Sequence, residues 1–306
     1  MIGMAMTKLE KREALQGYLY ILPWAVGFLL FTLGPLVASL VFSTWKWDLI
    51  SDPTFVGIRN YQVLLKSPDF WHALWVTSYY SFVRLPLVLV AGLLLAVLLN
   101  QKLKALGLWR TIYYLPSVLP MVAVSMLFIF IYNPDIGIIN FILQKIFGVK
   151  GPKWIFDENL LIPSLVLMSL WWVGSNMLVY LAGLQGIPSD LHEAAEIDGA
   201  GMWAKFWRVT IPMISPVLFY NVITTLIYSF ETFTQVYVML DNRPMYNGNF
   251  FVIYLFDNAF RFYKMGFASA LAWVFFLVLF GLTLLAFKSS SFWVFYEGNV
   301  KGGKER

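Results

Sequence analysis

The chain has 306 residues, 59% apolar, 18% aromatic and only 13% charged, with a net charge of +5 and a mean hydropathy of +0.70. A soluble domain carries about a quarter charged residues, and a globule of this length could not hide so much apolar surface from water. The composition is that of an integral membrane protein. Seventeen acids are too few to solvate a disordered chain. The absence of cysteine removes disulfide frameworks, zinc–thiolate sites, iron–sulfur clusters and cysteine nucleophiles together. His72 and His192 stand far apart and in no metal-ligand spacing, so no metal site is expected. The basic residues are dispersed, a pattern that argues against a nucleic-acid partner.

A spanning helix needs about 20 apolar residues, and six stretches qualify: residues 18–44, 73–99, 111–132, 159–186, 212–240 and 267–287. Arg84 and Glu231 are the two charges inside them. The first stretch is too long for a cleaved signal peptide and lacks a small-residue cleavage site, so it reads as a retained helix. Pro23, Pro35, Pro86, Pro116 and Pro120 fall within spans. Each frees a carbonyl and bends the axis, which a bilayer tolerates where neighbouring helices or water satisfy the backbone. The expected fold class is an all-α integral membrane protein of six transmembrane helices, one domain over residues 1–306.

An even number of spans puts both termini on one side. With that side inside, 12 of the 22 Lys and Arg lie on inner segments and nine on outer ones. The bias is small, and its clearest part is the acid-free connection of residues 100–110 with Lys102, Lys104 and Arg110. Both termini are expected in the cytoplasm. On the outer side, residues 137–147 and 249–262 have helical patterns rich in Phe, Ile and Leu, set off by Asn133-Pro134-Asp135 and Asn242-Arg243-Pro244. They read either as interfacial helices shaping a docking face or as simple caps on the bundle. No Gly-x-x-x-x-Gly-Lys-Ser/Thr loop, nucleophile elbow or His-Glu-x-x-His pair occurs. The chain is therefore expected to have no enzymatic activity, and any ATP it uses must be bound by another chain.

The segment between spans four and five, residues 187–212, carries the most information. Pro188 ends one helix and Ser189 or Asp190 begins another, with Asp190 and Glu193 in a capping-box pattern. Acids at 190, 193, 196 and 198 charge a short helix whose surface at Ala194 and Ala195 is nearly bare of side chain. Gly199 and Gly201 break it, and Met202 to Val209 is expected as a second short helix before Pro212 opens span five. Little projects from such a helix, so it suits a groove in another protein. The alternative is a connector lying on the membrane surface, but that would favour Lys and Arg, and this segment has four acids to two bases.

Glu193-Ala194-Ala195, Asp198-Gly199-Ala200, Phe206, Ile211-Pro212 and Pro216 together resemble the EAA motif of the membrane permeases of binding-protein-dependent ABC importers. The longer string from Leu184-Gln185-Gly186-Ile187-Pro188 to Pro216 is similar to their carbohydrate-uptake branch, which includes permeases for maltose, glycerol phosphate and multiple sugars. Phe55-Val56-Gly57-Ile58-Arg59-Asn60-Tyr61, Arg110 with Tyr114-Leu115-Pro116, and Tyr132-Asn133-Pro134 extend the resemblance over almost the whole chain. It implies the type I importer permease fold and a plasma-membrane location in a bacterium or archaeon. It also implies a pathway shared with a second permease, sugar delivered by a soluble or lipid-anchored binding protein, and two ATP-binding subunits that hold ATP and magnesium, this chain binding no cofactor. The helix around Glu193–Gly199 would rest in a cleft of one ATPase subunit, with Glu193 and Asp198 held by polar groups and Gly199 making the turn.

Polar residues inside spans are pathway candidates, because hydrocarbon does not tolerate them unpaired. Tyr228, Glu231, Thr232 and Gln235 fall on one helical face, with Ser229 beside them. Span four offers Trp172, Gly174 and Asn176, and span three offers Ser117 beside its prolines. Resemblance to the maltose permeases implies substrate-contacting positions at Ser117, Met121, Gly174, Asn176, Tyr228, Ser229 and Thr232. The family's amide-rich stripe in span five is replaced here by Ser229, Glu231 and Thr232. Glu231 reads either as substrate-facing or as a structural charge, hydrogen-bonded in the bundle or paired with Arg84. A polyol, oligosaccharide or sugar phosphate is the alternative cargo. An ion-gradient transporter would show inverted repeats, and none is visible.

Overall fold

A computed structural model describes residues 7–101, 104–240 and 245–295, with the side chains of Glu10 and Lys11 left out. Lys102, Asn242-Arg243-Pro244, Lys301, Lys304 and Arg306, used above for topology, lie outside the described residues. The chain divides into two compact units, Met1–Ser67 with Leu255–Phe275, and Pro68–Tyr254 with Phe276–Arg306.

In the first unit, α1 (Lys8–Phe28) runs through a π-turn at Leu29–Leu33 into α2 (Gly34–Phe42). Pro35 has no N–H to give, and the wide turn lets the Gly34 N–H bond the Leu29 oxygen instead. A two-residue antiparallel ladder, β1 (Trp45–Lys46) against β2 (Thr54–Phe55), follows and has no counterpart in the hydropathy pattern. Asp48 closes its loop by accepting bonds from the Ser51 hydroxyl at 2.6 Å and from the Ser51 and Ile50 N–H groups. The Ser51 hydroxyl above all, with those amides, holds the Asp48 carboxyl down at about 2. α3 (Arg59–Lys66) is tied back by Asn60, which donates to the carbonyls of Ser43 and Trp45.

The second unit contains α4 (Pro68–Leu99), α5 (Leu106–Val118), α6 (Met121–Ile131), α7 (Ile138–Phe147), α8 (Leu161–Met168), α9 (Val173–Gln185), α10 (Ser189–Ile197), α11 (Met202–Lys205), α12 (Ile211–Phe230) and α13 (Thr234–Leu240). α14 (Phe251–Phe256) and α15 (Met265–Trp293) run across the division. Among the described residues, five helical stretches are long and apolar enough to cross a membrane: Arg12–Phe42, Pro68–Leu99, Leu161–Gln185, Met202–Leu240 and Met265–Trp293. The pair Leu106–Val118 and Met121–Ile131 makes a sixth if its two limbs are one span.

Four expectations change in detail. Residues 111–132, read as one kinked span, are two helices bent by 95°. Leu119 is extended because the ring of Pro120 bars it from the helical region, while Pro116 is absorbed inside α5. The fourth span tightens into a 3₁₀ turn at Ser169–Trp172. The fifth, read as continuous over 212–240, is interrupted at residues 231–233 with neither proline nor glycine to mark the place. At its other end α11 does not stand apart as a short helix: it passes through a π-turn at Phe206–Thr210 directly into α12.

The interior of this unit holds two apolar clusters. Val76, Tyr80, Phe128, Tyr132 and Leu165 belong to one, and Ala96, Leu99, Met177, Tyr180 and Ile214 to the other. α4 contributes to both, and Arg84 lies between its two contributions. Gly92 lets α4 approach α9, where an added Cβ would stand 3.0 Å from the Asn176 Cβ.

Candidate functional site

A cavity of about 600 Å³ lies in the second unit, lined from α4, α6, α8, α9, α12 and the interruption at 231–233. Its size is within the usual range of small-molecule sites, about 300–1,000 Å³. Met121, Asn176, Tyr228, Glu231, Thr232 and Gln235 line it, as does Trp172. Ser117 and Gly174 are placed elsewhere, in packing contacts, and Ser229 is buried behind the wall, hydrogen-bonded to Arg84 and Thr225.

Gly174 is buried where α9 meets α5. A Cβ there would run into the Tyr113 carbonyl oxygen and come within 2.9 Å of the Tyr114 Cα and the Ser117 Oγ. Two of those three are backbone and cannot rotate away. Gly174→Ala is therefore expected to cost about 1–3 kcal/mol, read as a lower melting temperature and yield of the purified protein. Wild-type stability in that variant would show that the α5–α9 contact is loose.

Ser229 is the centre of a hydrogen-bond network joining three helices. Arg84 Nη1 donates to its Oγ and to the Thr225 carbonyl at 3.5 Å, and Ser229 itself donates to that carbonyl at 2.6 Å. Asn176 Nδ2 donates to Asn221 Oδ1 at 2.9 Å and to Thr225 Oγ1 at 3.0 Å. Asn221, Thr225 and Ser229 stand at i, i+4 and i+8, so they share the face of α12 turned to α4 and α9. Asn221 and Thr225 are not among the residues expected from the sequence, and their four-residue period is the one local sign of this polar stripe.

The Arg84–Glu231 pairing offered by the sequence does not form. The guanidinium is engaged by Ser229 and Thr225, and among the described residues Glu231 makes no ion pair. The helix ends at Glu231, which leaves this carboxylate exposed in the cavity wall. Tyr80, Trp172, Tyr220 and Tyr228 add aromatic surface, and Thr224, Thr225 and Asn221 add neutral polar groups.

The second feature is the segment between α9 and α12. Pro188 occupies the N-cap of α10, no side chain caps it, and Asp190 sits inside the first turn, so the capping box suggested by Asp190 and Glu193 does not form. The other end closes as a Schellman turn. Gly199 adopts φ +77°, the Gly199 N–H bonds the Glu196 carbonyl at 2.9 Å, and the Ala200 N–H bonds the Ala195 carbonyl at 2.8 Å. Lys205 pairs with Glu196 across the turn and, chiefly by that hydrogen bond, lowers the carboxyl pKa. The acids thus divide into two kinds. Glu196 fastens the turn, whereas Glu193 and Asp198 are exposed with no side-chain partner among the described residues. Ala194 is exposed, and Ala195, Ala200, Phe206 and Pro212 are half-buried. Ile197, Met202, Trp203 and Trp207 present apolar surface around the knob.

A bundle of membrane-length helices around a polar cavity, with an acidic knob on one connection, is the architecture of a solute permease. Residues 88–290 match the family of binding-protein-dependent transport system inner membrane components, and the chain belongs to that family. It is a transporter subunit rather than an enzyme. It is 37% identical to the probable ABC transporter permease protein YesP of Bacillus subtilis, over 94% of each chain. It is 34% identical to the trehalose/maltose transport system permease protein MalF of Thermococcus litoralis, over 94% of this chain and 97% of that one. The fold matches a permease chain of a bacterial alginate ABC transporter, crystallised with an alginate pentasaccharide-bound periplasmic protein. That match has a TM-score of 0.80 at 24% identity and covers 92% of this chain and 95% of the other.

Proposed function

We propose that this chain is one of two permease subunits of an ATP-driven sugar importer, and that its cavity forms part of the sugar's path across the membrane. The carrying observation is the cavity wall, in which aromatic rings suit the C–H faces of a sugar and neutral amides and hydroxyls suit its hydroxyl groups. Arg84 is the one cation among the described lining residues, thin provision for a phosphorylated solute. The trehalose/maltose and alginate systems to which the chain is similar handle saccharides. The second permease, two ATPase subunits holding ATP and magnesium, and a sugar-delivering binding protein complete the assembly. The termini and α10 then face the cytoplasm of a bacterial or archaeal cell, and α10 docks on an ATPase subunit. Closure of the ATPase dimer draws the two docked permeases together and switches the bundle between two packings.

Glu231 is the substrate-facing acid in this scheme. In vesicles containing the co-purified complex, Glu231→Gln should raise the KM for the transported sugar roughly tenfold, as loss of a charge-assisted hydrogen bond does. An unchanged KM and maximal ATPase would remove Glu231 from the path. Calorimetry of the co-purified binding protein against a panel of saccharides tests the cargo, and tight binding of a non-carbohydrate solute alone would overturn it.

A further inference from the structure

α7 joins α6 to the turn before α8, and it carries apolar side chains on its inward and its outward side. Ile139 packs inward against the first apolar cluster, and Asn140 is buried. Turned away from these contacts, Ile138, Phe141 and Ile142 are exposed around Lys145, Phe141 at 61%, and Ile146 is exposed at 67% near the helix end, although this is where a water-facing helix carries mostly polar residues. The helix cannot roll to hide them. Asn140 Nδ2 donates to the carbonyls of Pro134 and Pro152, both at 3.0 Å, and its Oδ1 accepts the Trp154 indole N–H at 2.7 Å. Trp154 in turn stacks on Tyr132, whose hydroxyl donates to the Ser164 carbonyl at the start of the next span. At ten residues, about 15 Å long, α7 is too short to cross a bilayer.

We propose that this outward face of α7 lies in the phospholipid headgroup layer, at the membrane boundary where α6 ends. Two observations select lipid over water or protein as its cover. The exposed apolar flank of α6, Val122, Met126 and Phe130, is followed, after the Asn133-Pro134-Asp135 turn, by exposed Ile136 and Ile138, so apolar surface resumes on α7 where α6, one limb of the bent pair, ends. Residues 136–156 contain no acid, and Lys145, Lys150 and Lys153 are all exposed there. Lys145, which stands between Phe141 and Ile138 around the helix, holds its ammonium 5.7 Å over the Phe141 ring, its stem laid on apolar neighbours and its charge free to reach a phosphate. Ile, Phe and Trp combined with Lys alone is the composition of interfacial helices, the ammonium groups meeting lipid phosphate.

The chain has no cysteine, so a single introduced thiol reports one position. Bimane placed through Ile138→Cys, and separately through Ile142→Cys, is read in the assembled complex in vesicles of phosphatidylethanolamine and phosphatidylglycerol. Lipid brominated near the glycerol end of its acyl chains should quench both labels several-fold more than it quenches Gln144→Cys on the flank. Quenching by aqueous iodide instead would place the face in water. Protection from both quenchers would place it against another protein. Either result overturns the proposal.

Discussion

Charge reversal at Glu193 is expected to cut sugar-stimulated ATP hydrolysis and transport by about tenfold or more while the assembled complex still reaches the membrane. Glu193 is exposed on α10 and has no intramolecular side-chain partner among the described residues, so its replacement by Lys disturbs nothing within the chain. In the proposed docked complex the same change would set a cation where an ATPase cleft is expected to receive a carboxylate. Basal ATPase activity of the motor subunits should persist, because they keep their own site. Measurement in vesicles, with assembly checked by co-purification, separates uncoupling from loss of the complex. Glu196→Lys makes the informative contrast. It breaks the pairing with Lys205 that fastens the turn, so its damage belongs to the shape of the knob rather than to its grip. Wild-type coupling in Glu193→Lys would remove α10 as the docking element.

Arg84→Met should lower both stability and transport. The guanidinium joins α4 to α12 through Ser229 and the Thr225 carbonyl, and Asn176 joins α9 to the same stripe. Hydrogen bonds from a charged donor are worth about 1.5–3 kcal/mol each, so the loss should register as a clear fall in melting temperature and a roughly tenfold fall in transport. Arg84→Lys should recover only part of both, since a point charge lacks the planar fork. Combined with Ser229→Ala, the Met variant should add little further loss, the signature of two residues in one network. Full additivity would mean that the Arg84–Ser229 contact carries no energy.

The extent to which the site was legible follows from the range of each interaction. Glu231 and Asn176 stood out because a polar side chain in an apolar stretch is a local anomaly, visible without knowing the fold. Gly199 was marked equally well, since a glycine after an acidic helix reads as a turn wherever the helix docks, and φ +77° realises it. Asn221 and Thr225 were harder. Both look like ordinary tolerated polar residues until α4 and α9 are laid beside them. Gly174 and Ser117 look like pathway residues in the sequence, but they meet each other where α9 packs closely on α5.

Hydropathy length, proline placement and the acid–alanine–glycine pattern lie within short windows of chain, so the sequence alone determined the membrane class, the spanning stretches and the exposed knob. Tertiary structure alone decided the unmarked interruption after Phe230 and the engagement of Arg84 with Ser229 instead of Glu231, and it set the 95° to which the local break at Pro120 opens. Those outcomes depend on which helix face meets which neighbour, and residues more than a hundred positions apart must be brought together before that question has an answer.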